Sequence, residues 1–578
     1  MAIRMFNYYF QQELSHLKEI GSAFARENPA IAPMLGEPSS DPDVDRLLEG
    51  VAFLTGSIRE KIDDEFPEII HNFIRQVWPH YLRPVPATTL IEVVPEAGSD
   101  SGVSVRTGVE VDSFEVDGTS CRFRTCSHVN MVPVSIVRAG YEESSDGISG
   151  IRVTLACKSP EHWESDTLKF YLGGGYARAS ELYLQMMTGV SRIAIDSGGE
   201  RPQVVLSPDC IKSCGFSEED PLIPWPSQSF AGYRFVQEYF VLPEKFLFLE
   251  LTGLHAWKER KGVSEFDLLF ELKGIPETPL RIDASSFMLR VTPAVNVFKH
   301  SADPVRVSQK KNEYRVRPTA SDPSHYQIYS IEQVSGFKVG RGEGYPMKPF
   351  HSLVIEESDI VYNEILRRSP VRDAMDFSLS LAMPEGGEVS DVRSLSFDVL
   401  CTNGDLPEQL LPGDIKVPTA TSPEGVGFRN IRKPTQAVLP PLGSESLWAL
   451  VSMLNLNHFC LTRCENMKAM LKLFLMDGSS GRRLFAAGEK RVEGIVALES
   501  TPVNRLFKGT MMSGLMIQIS MRKEHFAGMG DLFLFASVLD HFIGLSAALN
   551  TFTQLVVTEV TTGERFAWKE RMGNQLLR

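Results

Sequence analysis

Two glycine-rich stretches are the first candidates for a ligand site, because backbone N–H groups ahead of a helix can bind phosphate. The first, Gly173-Gly174-Gly175, follows an apolar strand-like segment and precedes a helical pattern. It has neither the Lys-Ser/Thr pair of a P-loop nor the G-x-G-x-x-G order of a dinucleotide site. The second, Gly340-x-Gly342-x-Gly344, has no helix after it. We therefore interpret both stretches as loops.

Metal-binding residue types come together at one place, where His458, Cys460 and Cys464 lie within seven residues. A zinc site needs ligands of this kind at fixed spacing. Cys210 and Cys214 have the same four-residue separation but no histidine close to them. Free cysteine behaves as a small hydrophobic residue. We interpret these thiols as buried structural groups and expect neither a metal nor a cofactor.

Catalytic patterns are absent from the sequence. Ser335-Gly336 lacks the leading glycine of a G-x-S-x-G nucleophile turn. His80 and Tyr81 form an unusual polar–aromatic pair between Pro79 and Pro84, which we interpret as a hydrogen-bonded structural anchor. Carboxylate clusters are frequent, and one alternative function stays open: a cytoplasmic β-rich hydrolase acting on glycans. It predicts two buried carboxylates that face each other across a groove, one with a raised pKa.

The composition limits the kinds of partner. The 578 residues exceed the size at which one core stops growing, so several domains are expected. A net charge of −14 disfavours nucleic acid, which binds basic surfaces. The eight cysteines form no C-x-x-C pair, and no leader pattern opens the chain, so a cytoplasmic location is expected. The apolar run 532–552 carries Asp540 and His541, which predicts a buried or interfacial helix and no direct membrane insertion.

The first 86 residues are predicted to form three helices with wide apolar faces. Apolar residues recur every three or four positions in each. The first helix contains Phe10, Leu14 and Leu17, and the third follows Phe66-Pro67. The second begins at Asp41-Pro42-Asp43 and carries Leu47, Leu48, Val51 and Leu54 on its apolar face. Prolines 79, 84 and 86 end the helical region. Such helices need a partner surface, either inside the chain or on another subunit. The candidate partner-contact residues are Phe10, Leu14, Leu17, Leu48, Ile70, Trp78, Tyr81, Arg83, Phe535 and Phe542.

The remaining chain alternates short apolar segments with Gly, Pro, Asp and Ser, as β-rich domains do. Phe377–Leu381 and Ser394–Leu400 alternate cleanly between apolar and polar residues, and helices are predicted at 446–459 and 463–476. The sequence predicts a multidomain α+β fold with an N-terminal helical head, large β-rich middle modules and a C-terminal α+β module. The proposed segments are a helical region at 1–86, a first β-rich domain at 87–310, a second at 311–438 and an α+β domain at 439–578.

Short motifs along the chain match those of a known family. In the head they are Tyr8-Tyr9, Glu13-Leu14, Phe24-Ala25-Arg26, Asp41-Pro42, Arg46-Leu47-Leu48-Glu49-Gly50, Asp63-Asp64-Glu65-Phe66-Pro67 and Pro79-His80-Tyr81-Leu82-Arg83-Pro84. Later motifs include Thr292–Phe298, Glu313–Pro318 with Tyr326, Cys401–Pro407, Pro440–Gly443 before Leu447-Trp448, Phe533–Phe535 and Asn550–Phe552. On these motifs, essentially the whole chain resembles the TssF (ImpG/VasA) family of type VI secretion baseplate subunits.

The resemblance implies a structural protein and not an enzyme. It implies that two copies of the chain join one TssG-like subunit, and that this trimer meets TssE-like and TssK-like proteins in a baseplate wedge. Neighbouring wedges would surround the spike hub, and the plate would nucleate and trigger the contractile sheath at the inner face of the cell envelope. The family is similar to the wedge proteins of contractile phage tails.

Overall fold

The computed structural model of the chain describes most residues: 10, 11, 13–15, 17, 18, 20, 42–96, 104–143, 149–163, 165–198, 203–226, 229–274, 279–308, 311–338, 344–350, 352, 360–369, 372, 374–382, 392–442, 450, 463–475, 482–507 and 509–573. The candidate metal residues His458 and Cys460 lie outside this part of the chain, as do Gly340 and Gly342. Most of the helix predicted over 446–459 lies outside it too.

The head contains helical residues between 10 and 20 and one long helix, α1 (Pro42–Val77). Asp43 and Asp45 occupy the first turn of α1, where the helix dipole favours negative charge. The predicted division into a second and a third helix at Phe66-Pro67 is wrong, because α1 continues through Pro67. A proline removes one backbone donor, and the many other hydrogen bonds of this 36-residue helix keep it continuous. α1 ends before Pro79, as predicted, and a short 3₁₀ turn, Pro79–Leu82, which the sequence did not predict, follows it.

The segment predicted as the first β-rich domain contains two helices, α2 (Tyr176–Leu184) and α3 (Ala231–Val241). α2 matches the helical pattern noted after Gly175, and it continues into one π turn, Gln185–Gly189. The strands are β1 (Thr88–Pro95), β2 (Ser104–Val105), β3 (Glu110–Val116), β4 (Thr119–Thr125), β5 (Val129–Asn130), β6 (Val134–Glu143), β7 (Ser149–Cys157), β8 (Leu168–Leu172), β9 (Val190–Asp196), β10 (Val204–Leu206), β11 (Ile211–Ser213), β12 (Phe248–Leu251), β13 (Glu265–Leu272), β14 (Phe287–Leu289), β15 (Val291–Val295) and β16 (Phe298–Arg306).

The next segment is also rich in strands. They are β17 (Glu313–Val316), β18 (Gln327–Lys338), β19 (Tyr345–Pro346), β20 (Lys348–Pro349), β21 (Val361–Arg368), β22 (Met375–Ala382), β23 (Val392–Thr402), β24 (Ile415–Pro418) and β25 (Val426–Asn430). β22 and β23 contain the two alternating runs that predicted strands most clearly, and their inward residues are buried.

The sheets cross the proposed boundary at 310. A six-stranded sheet has the order β24-β3-β4-β15-β1-β25, so strands from both β-rich segments form it. β16 pairs with β23 in another sheet, of order β16-β23-β18-β19. Three further sheets have the orders β10-β9-β13-β7-β6, β11-β12-β8-β14 and β17-β22-β21-β20, and β2 pairs with β5. The first and second β-rich segments share two of these sheets, and the boundaries proposed at 86, 310 and 438 stay predictions.

The C-terminal segment combines helices with a sheet of its own. Its helices are α4 (Cys464–Leu473), α5 (Arg482–Glu493) and α6 (Met529–Leu545). Its strands are β26 (Ile495–Phe507), β27 (Thr510–Met521), β28 (Phe552–Glu559), β29 (Arg565–Ala567) and β30 (Arg571–Met572). β27 and β28 are parallel, and α6 makes the crossover connection that parallel strands require.

Helix α6 lies at the centre of the largest core. Nearly all of its side chains are buried, including the charged Asp531 and Asp540, in agreement with the prediction of a buried or interfacial helix. α2 and α3 pack against it from the first β-rich segment. No helix in the described ranges combines the length and the apolar character needed to cross a membrane. The head, middle and tail of the sequence are thus joined by one hydrophobic interior.

Gly530 permits the close crossing of α6 and α2. A Cβ atom at this position would lie 2.2 Å from the backbone oxygen of Ser180. We expect Gly530→Ala to reduce the free energy of unfolding by about 1–3 kcal/mol, because the two backbones must separate. A Cβ atom added at Gly50, inside α1, would have no other atom within 4 Å. Gly50→Ala should therefore raise helix stability by up to about 1 kcal/mol. Thermal unfolding of the isolated chain measures both changes in stability. Equal effects of the two substitutions would contradict the assignment of Gly530 to a close helix crossing.

Candidate interaction surface

The C-terminal end of α1 is fixed to the body of the chain. Ile74 is fully buried, and Trp78 packs edge-on against Tyr233 of α3 with 4.5 Å between ring centroids. The guanidinium of Arg75 donates to the backbone oxygen of Glu364 on β21, and its Nε lies 3.6 Å from that residue's carboxylate. These contacts attach the last turns of α1 to both α3 and β21.

His80 packs against an aromatic ring and is not hydrogen-bonded. Its ring centroid lies 3.8 Å from that of Trp225, the two planes are inclined at 34°, and neither ring nitrogen has a hydrogen-bond partner. The predicted hydrogen-bonded anchor is therefore wrong in its chemistry, although His80 and Tyr81 are both buried structural residues. Burial, assisted by the charge of Arg83, lowers the pKa of His80 to about 3. Burial and Arg75 likewise lower the pKa of His71, on α1, to about 4.

These two histidines make the stability of the docked end of α1 depend on pH. Both have folded-state pKa values below the ordinary value of 6.5, so only the unfolded state gains protons between pH 8 and pH 5. Each histidine should then reduce the free energy of unfolding by about 2 kcal/mol over this range, and the loss continues until the pH reaches the folded pKa. Asp540 acts in the opposite sense, because burial raises its pKa to about 6.

A His80→Phe variant isolates the contribution of one ring. Phenylalanine preserves the aromatic contact with Trp225 but has no titratable group. We expect the loss of stability between pH 8 and pH 5 to shrink by about 2 kcal/mol relative to the unmodified chain. Urea unfolding followed by tryptophan fluorescence measures this difference. An unchanged pH dependence would show that His80 does not control it.

The N-terminal half of α1 exposes large apolar side chains. Leu47 is 69% exposed, Val51 42% and Leu54 63%, and their spacing of four and three residues puts them on one side of the helix. Ala52, on another side, is fully buried. Lys18, one of the described helical residues between 10 and 20, lies 3.6 Å from Asp45, so the two segments approach each other at this point. We call Leu47, Val51 and Leu54 the α1 apolar stripe.

Five of the candidate contact residues are core residues of this chain. Ile70, Trp78, Tyr81, Phe535 and Phe542 are all at most 7% exposed. Phe535 lies on α6 against Tyr239, with 5.4 Å between ring centroids, and Phe542 packs on Phe230 and Tyr233. The prediction that they contact a partner is corrected, because this chain's own residues cover them.

The other candidates have partly exposed side chains. Phe10, Leu14, Leu17 and Leu48 are half-buried. Arg83 is also half-buried, and its guanidinium lies 5.4 Å from the centre of the Tyr329 ring. The sequence assigned Leu47, Val51 and Leu54 to an apolar face without distinguishing them from Leu48. The sequence feature that could have identified them is the width of the apolar face. A single packing contact covers only part of a wide face, so the other apolar residues on it stay exposed.

Buried polar groups away from the head serve packing between helices. Asp531 of α6 accepts hydrogen bonds from the hydroxyls of Tyr176 (2.5 Å) and Tyr239 (3.0 Å) and from Nε of Arg491 (3.1 Å). The backbone N–H of Ala527 donates a fourth, at 2.9 Å. Four helices, α2, α3, α5 and α6, thus meet at one carboxylate, which we call the Asp531 junction.

Other buried carboxylates are paired with cations. Glu238 and Lys245 form an ion pair in the core, and the backbone N–H of Leu222 donates to Glu238 at 2.6 Å. Asp540, whose pKa is raised by burial, accepts from Nε of Arg571 at 2.5 Å. The raised pKa is the feature that the glycan hydrolase alternative requires, but Asp540 faces Arg571 inside the core and not an open groove. These groups have the geometry of structural ion pairs.

The remaining sequence candidates have structural roles. The Gly173 backbone closely approaches the 3₁₀ turn Ala284–Ser286, since a Cβ there would lie 2.4 Å from the backbone oxygen of Ser285, and Gly174 and Gly175 have positive φ. Cys210, Cys214 and Cys464 are free thiols, as are the other cysteines of the described ranges. Within those ranges, no three His, Cys, Asp or Glu side chains are grouped to hold a metal ion.

Comparison with known proteins identifies the family. The sequence profile described as "Type VI secretion system, TssF" matches residues 3–575. The type VI secretion system component TssF1 of Pseudomonas aeruginosa is 29% identical, and the alignment covers 98% of each chain.

Solved structures agree with this match. A chain of the TssK-TssF-TssG baseplate subcomplex of a type VI secretion system has a TM-score of 0.75 at 27% identity, covering 92% of this chain and 99% of that one. A chain of a type VI secretion baseplate complex shares the fold, with a TM-score of 0.60 at 22% identity over 99% of this chain and 100% of that chain. The protein therefore belongs to the TssF family of type VI secretion systems, whose members are structural components of the baseplate and not enzymes.

Proposed function

We propose that this chain is a wedge subunit of a type VI secretion baseplate, in which two copies hold one TssG-like subunit. The observation that carries the proposal is the α1 apolar stripe on a helix whose other end is fixed to the body of the chain. Apolar side chains this exposed are normal singly, but an aligned group marks a site of association. A helical segment of a partner, packed along α1, would cover them.

The wider assembly follows from the same proposal. The trimer would join TssE-like and TssK-like subunits, and neighbouring wedges would surround the spike hub, as in the related wedge proteins of contractile phage tails. The baseplate would lie on the cytoplasmic side of the cell envelope and nucleate the contractile sheath. One solved relative is named as part of a TssK-TssF-TssG subcomplex, which supports the TssG-like and TssK-like partners. The large shared core suits a rigid part of such a machine.

The two copies would occupy different environments around a single TssG-like chain. In this proposal the trigger is mechanical: a change in contacts between wedges releases the sheath. The structure offers a rigid element for transmitting such a change, since α1 is about 54 Å long at 1.5 Å per residue. Its fixed end reaches β21 through Arg75 and α3 through Trp78.

Native mass spectrometry tests the proposed composition. The chain is measured alone and after co-expression with the TssG-like protein of the same secretion system. We expect a stable species containing two copies of this chain and one partner. A monomer that ignores the partner, or a complex with one copy of each, would overturn the proposed stoichiometry.

A further inference from the structure

A small cleft lies between β17 and the start of β18, away from the head. Its volume is about 210 Å³. This is below the range of about 300–1,000 Å³ that holds cofactors and drug-sized ligands, so the space suits one side chain or a small ion. Val316, Ile328 and Phe377 are among the buried residues that line it. The cleft therefore has an apolar floor.

Three arginines and one carboxylate supply the charge around this floor. Arg315 and Arg317 are two residues apart, which puts them on the same side of β17 and its extension. Arg372, the third arginine of the lining, donates from Nη1 to the backbone oxygen of Pro323 at 3.5 Å. Arg315 forms an ion pair with Asp376. The charged residues of the lining therefore carry a net charge of two positive units, in a chain whose net charge is −14. A local excess of positive charge on an acidic protein favours an anionic ligand.

Gln327 gives a second and independent indication of a ligand. It lines the cleft and is only 8% exposed, yet its Nε2 donor has no hydrogen-bond partner. Buried polar groups are nearly always hydrogen-bonded, and an unpaired one destabilises the fold. A leucine at this position would contact the apolar floor and would leave no hydrogen-bond donor unpaired. A ligand that brings a hydrogen-bond acceptor for Nε2 would explain why an amide occupies this position.

We propose that this cleft binds the carboxylate side chain of an acidic segment on a partner protein. The methylene groups of a glutamate would lie on the apolar floor, and the guanidinium groups of Arg317 and Arg372 and the amide of Gln327 would donate to the carboxylate. Arginine recognises carboxylates well because its planar group can donate two parallel hydrogen bonds. The inference does not depend on the proposed wedge assembly, because it concerns a different surface and defines the partner only by its acidic chemistry.

Fluorescence anisotropy with the full-length chain tests the proposal. The probes are fluorescein-labelled peptides of six glutamates and of six glutamines. We expect the glutamate peptide to bind at least about tenfold more tightly, even though the overall negative charge of the protein repels it. Arg317→Gln should weaken that binding roughly ten- to hundredfold, the range expected for a lost hydrogen bond to a charged group. Equal binding of the two peptides would overturn the proposal.

Two further variants separate binding from folding. Gln327→Leu should weaken peptide binding while leaving the thermal midpoint unchanged or higher, because the unpaired donor is removed. Arg367→Gln is the matched control: Arg367 lies on β21 of the same sheet but does not line the cleft, and its loss should leave binding within about twofold of the unmodified chain. Equal losses of peptide binding in Arg317→Gln, Gln327→Leu and Arg367→Gln would show nonspecific electrostatic attraction and would overturn the proposal. Displacement of the peptide by equimolar inorganic phosphate would show a free-anion site and overturn the partner proposal.

Discussion

Replacing both Leu47 and Leu54 with aspartate is expected to leave the isolated chain folded but to prevent its assembly with a TssG-like subunit. Both side chains are more than 60% exposed, so the isolated chain loses little packing. If a partner buries them, each contributes about 1.5–3 kcal/mol to association, and the double substitution should weaken binding at least roughly 10²-fold. Circular dichroism measures the fold, and co-purification with native mass spectrometry measures assembly.

Two matched variants identify the cause of that loss. Arg46→Asp adds an aspartate to the same helix at a position that is exposed but not apolar, and assembly should persist. Ile70→Asp places a charge in the core, so it should fail to assemble because the chain itself is destabilised by several kcal/mol. Leu48→Asp, at a half-buried position, should reduce both properties. Normal assembly of the Leu47, Leu54 double variant would remove the α1 apolar stripe from the interface.

The largest expected effect on folding is that of Asp531→Leu. It leaves Arg491, whose side chain is 12% exposed, without its carboxylate, and it removes the acceptor of two tyrosine hydroxyls. Removing one partner of a buried ion pair typically costs about 3–5 kcal/mol. Because four helices meet at the Asp531 junction, we expect α2, α3, α5 and α6 to exchange amide hydrogens faster together. Hydrogen exchange with mass spectrometry resolves those segments.

The double variant Asp531→Leu, Arg491→Met provides the control. It removes both charges, and buried ion pairs can often be replaced by apolar residues with little loss of stability. We expect it to recover a substantial part of the thermal stability lost in Asp531→Leu. A double variant as unstable as the single one would show that the tyrosine hydrogen bonds, and not the unpaired guanidinium, dominate the junction.

Local patterns predicted the elements whose environment is uniform along their length. The alternation in Phe377–Leu381 and Ser394–Leu400 predicted β22 and β23, because one face of each strand is buried. The apolar run 532–552 predicted a buried or interfacial helix despite Asp540 and His541, and α6 is buried. The stops at Pro79 and Pro84 were correct because proline acts through its own backbone.

Features that depend on distant residues could not be predicted from spacing. Tyr176 and Asp531 are separated by 355 residues, so no local pattern connects them. His80 was assigned a hydrogen bond because an isolated polar ring needs one, but Trp225, far along the chain, provides an aromatic contact instead. The division of α1 at Pro67 failed because its many remaining backbone hydrogen bonds maintain the helix. Leu47 is more exposed than Leu48 because of what packs beside α1. The apolar pattern of one helix carries no information about its neighbours.

The interior position of β1 in the six-stranded sheet, between β15 and β25, has a consequence for synthesis of the protein. β1 pairs with β25, and Glu92 contacts Arg429, 337 residues later in the chain. At translation rates of 5–20 residues per second, β1 waits roughly 20–70 s on the ribosome before its second neighbour exists. During that time a strand of apolar residues has an open edge, which favours aggregation or binding by a chaperone. Expression at a lower level, which reduces the concentration of incomplete chains, or with more holding chaperone, should therefore increase the yield of folded protein.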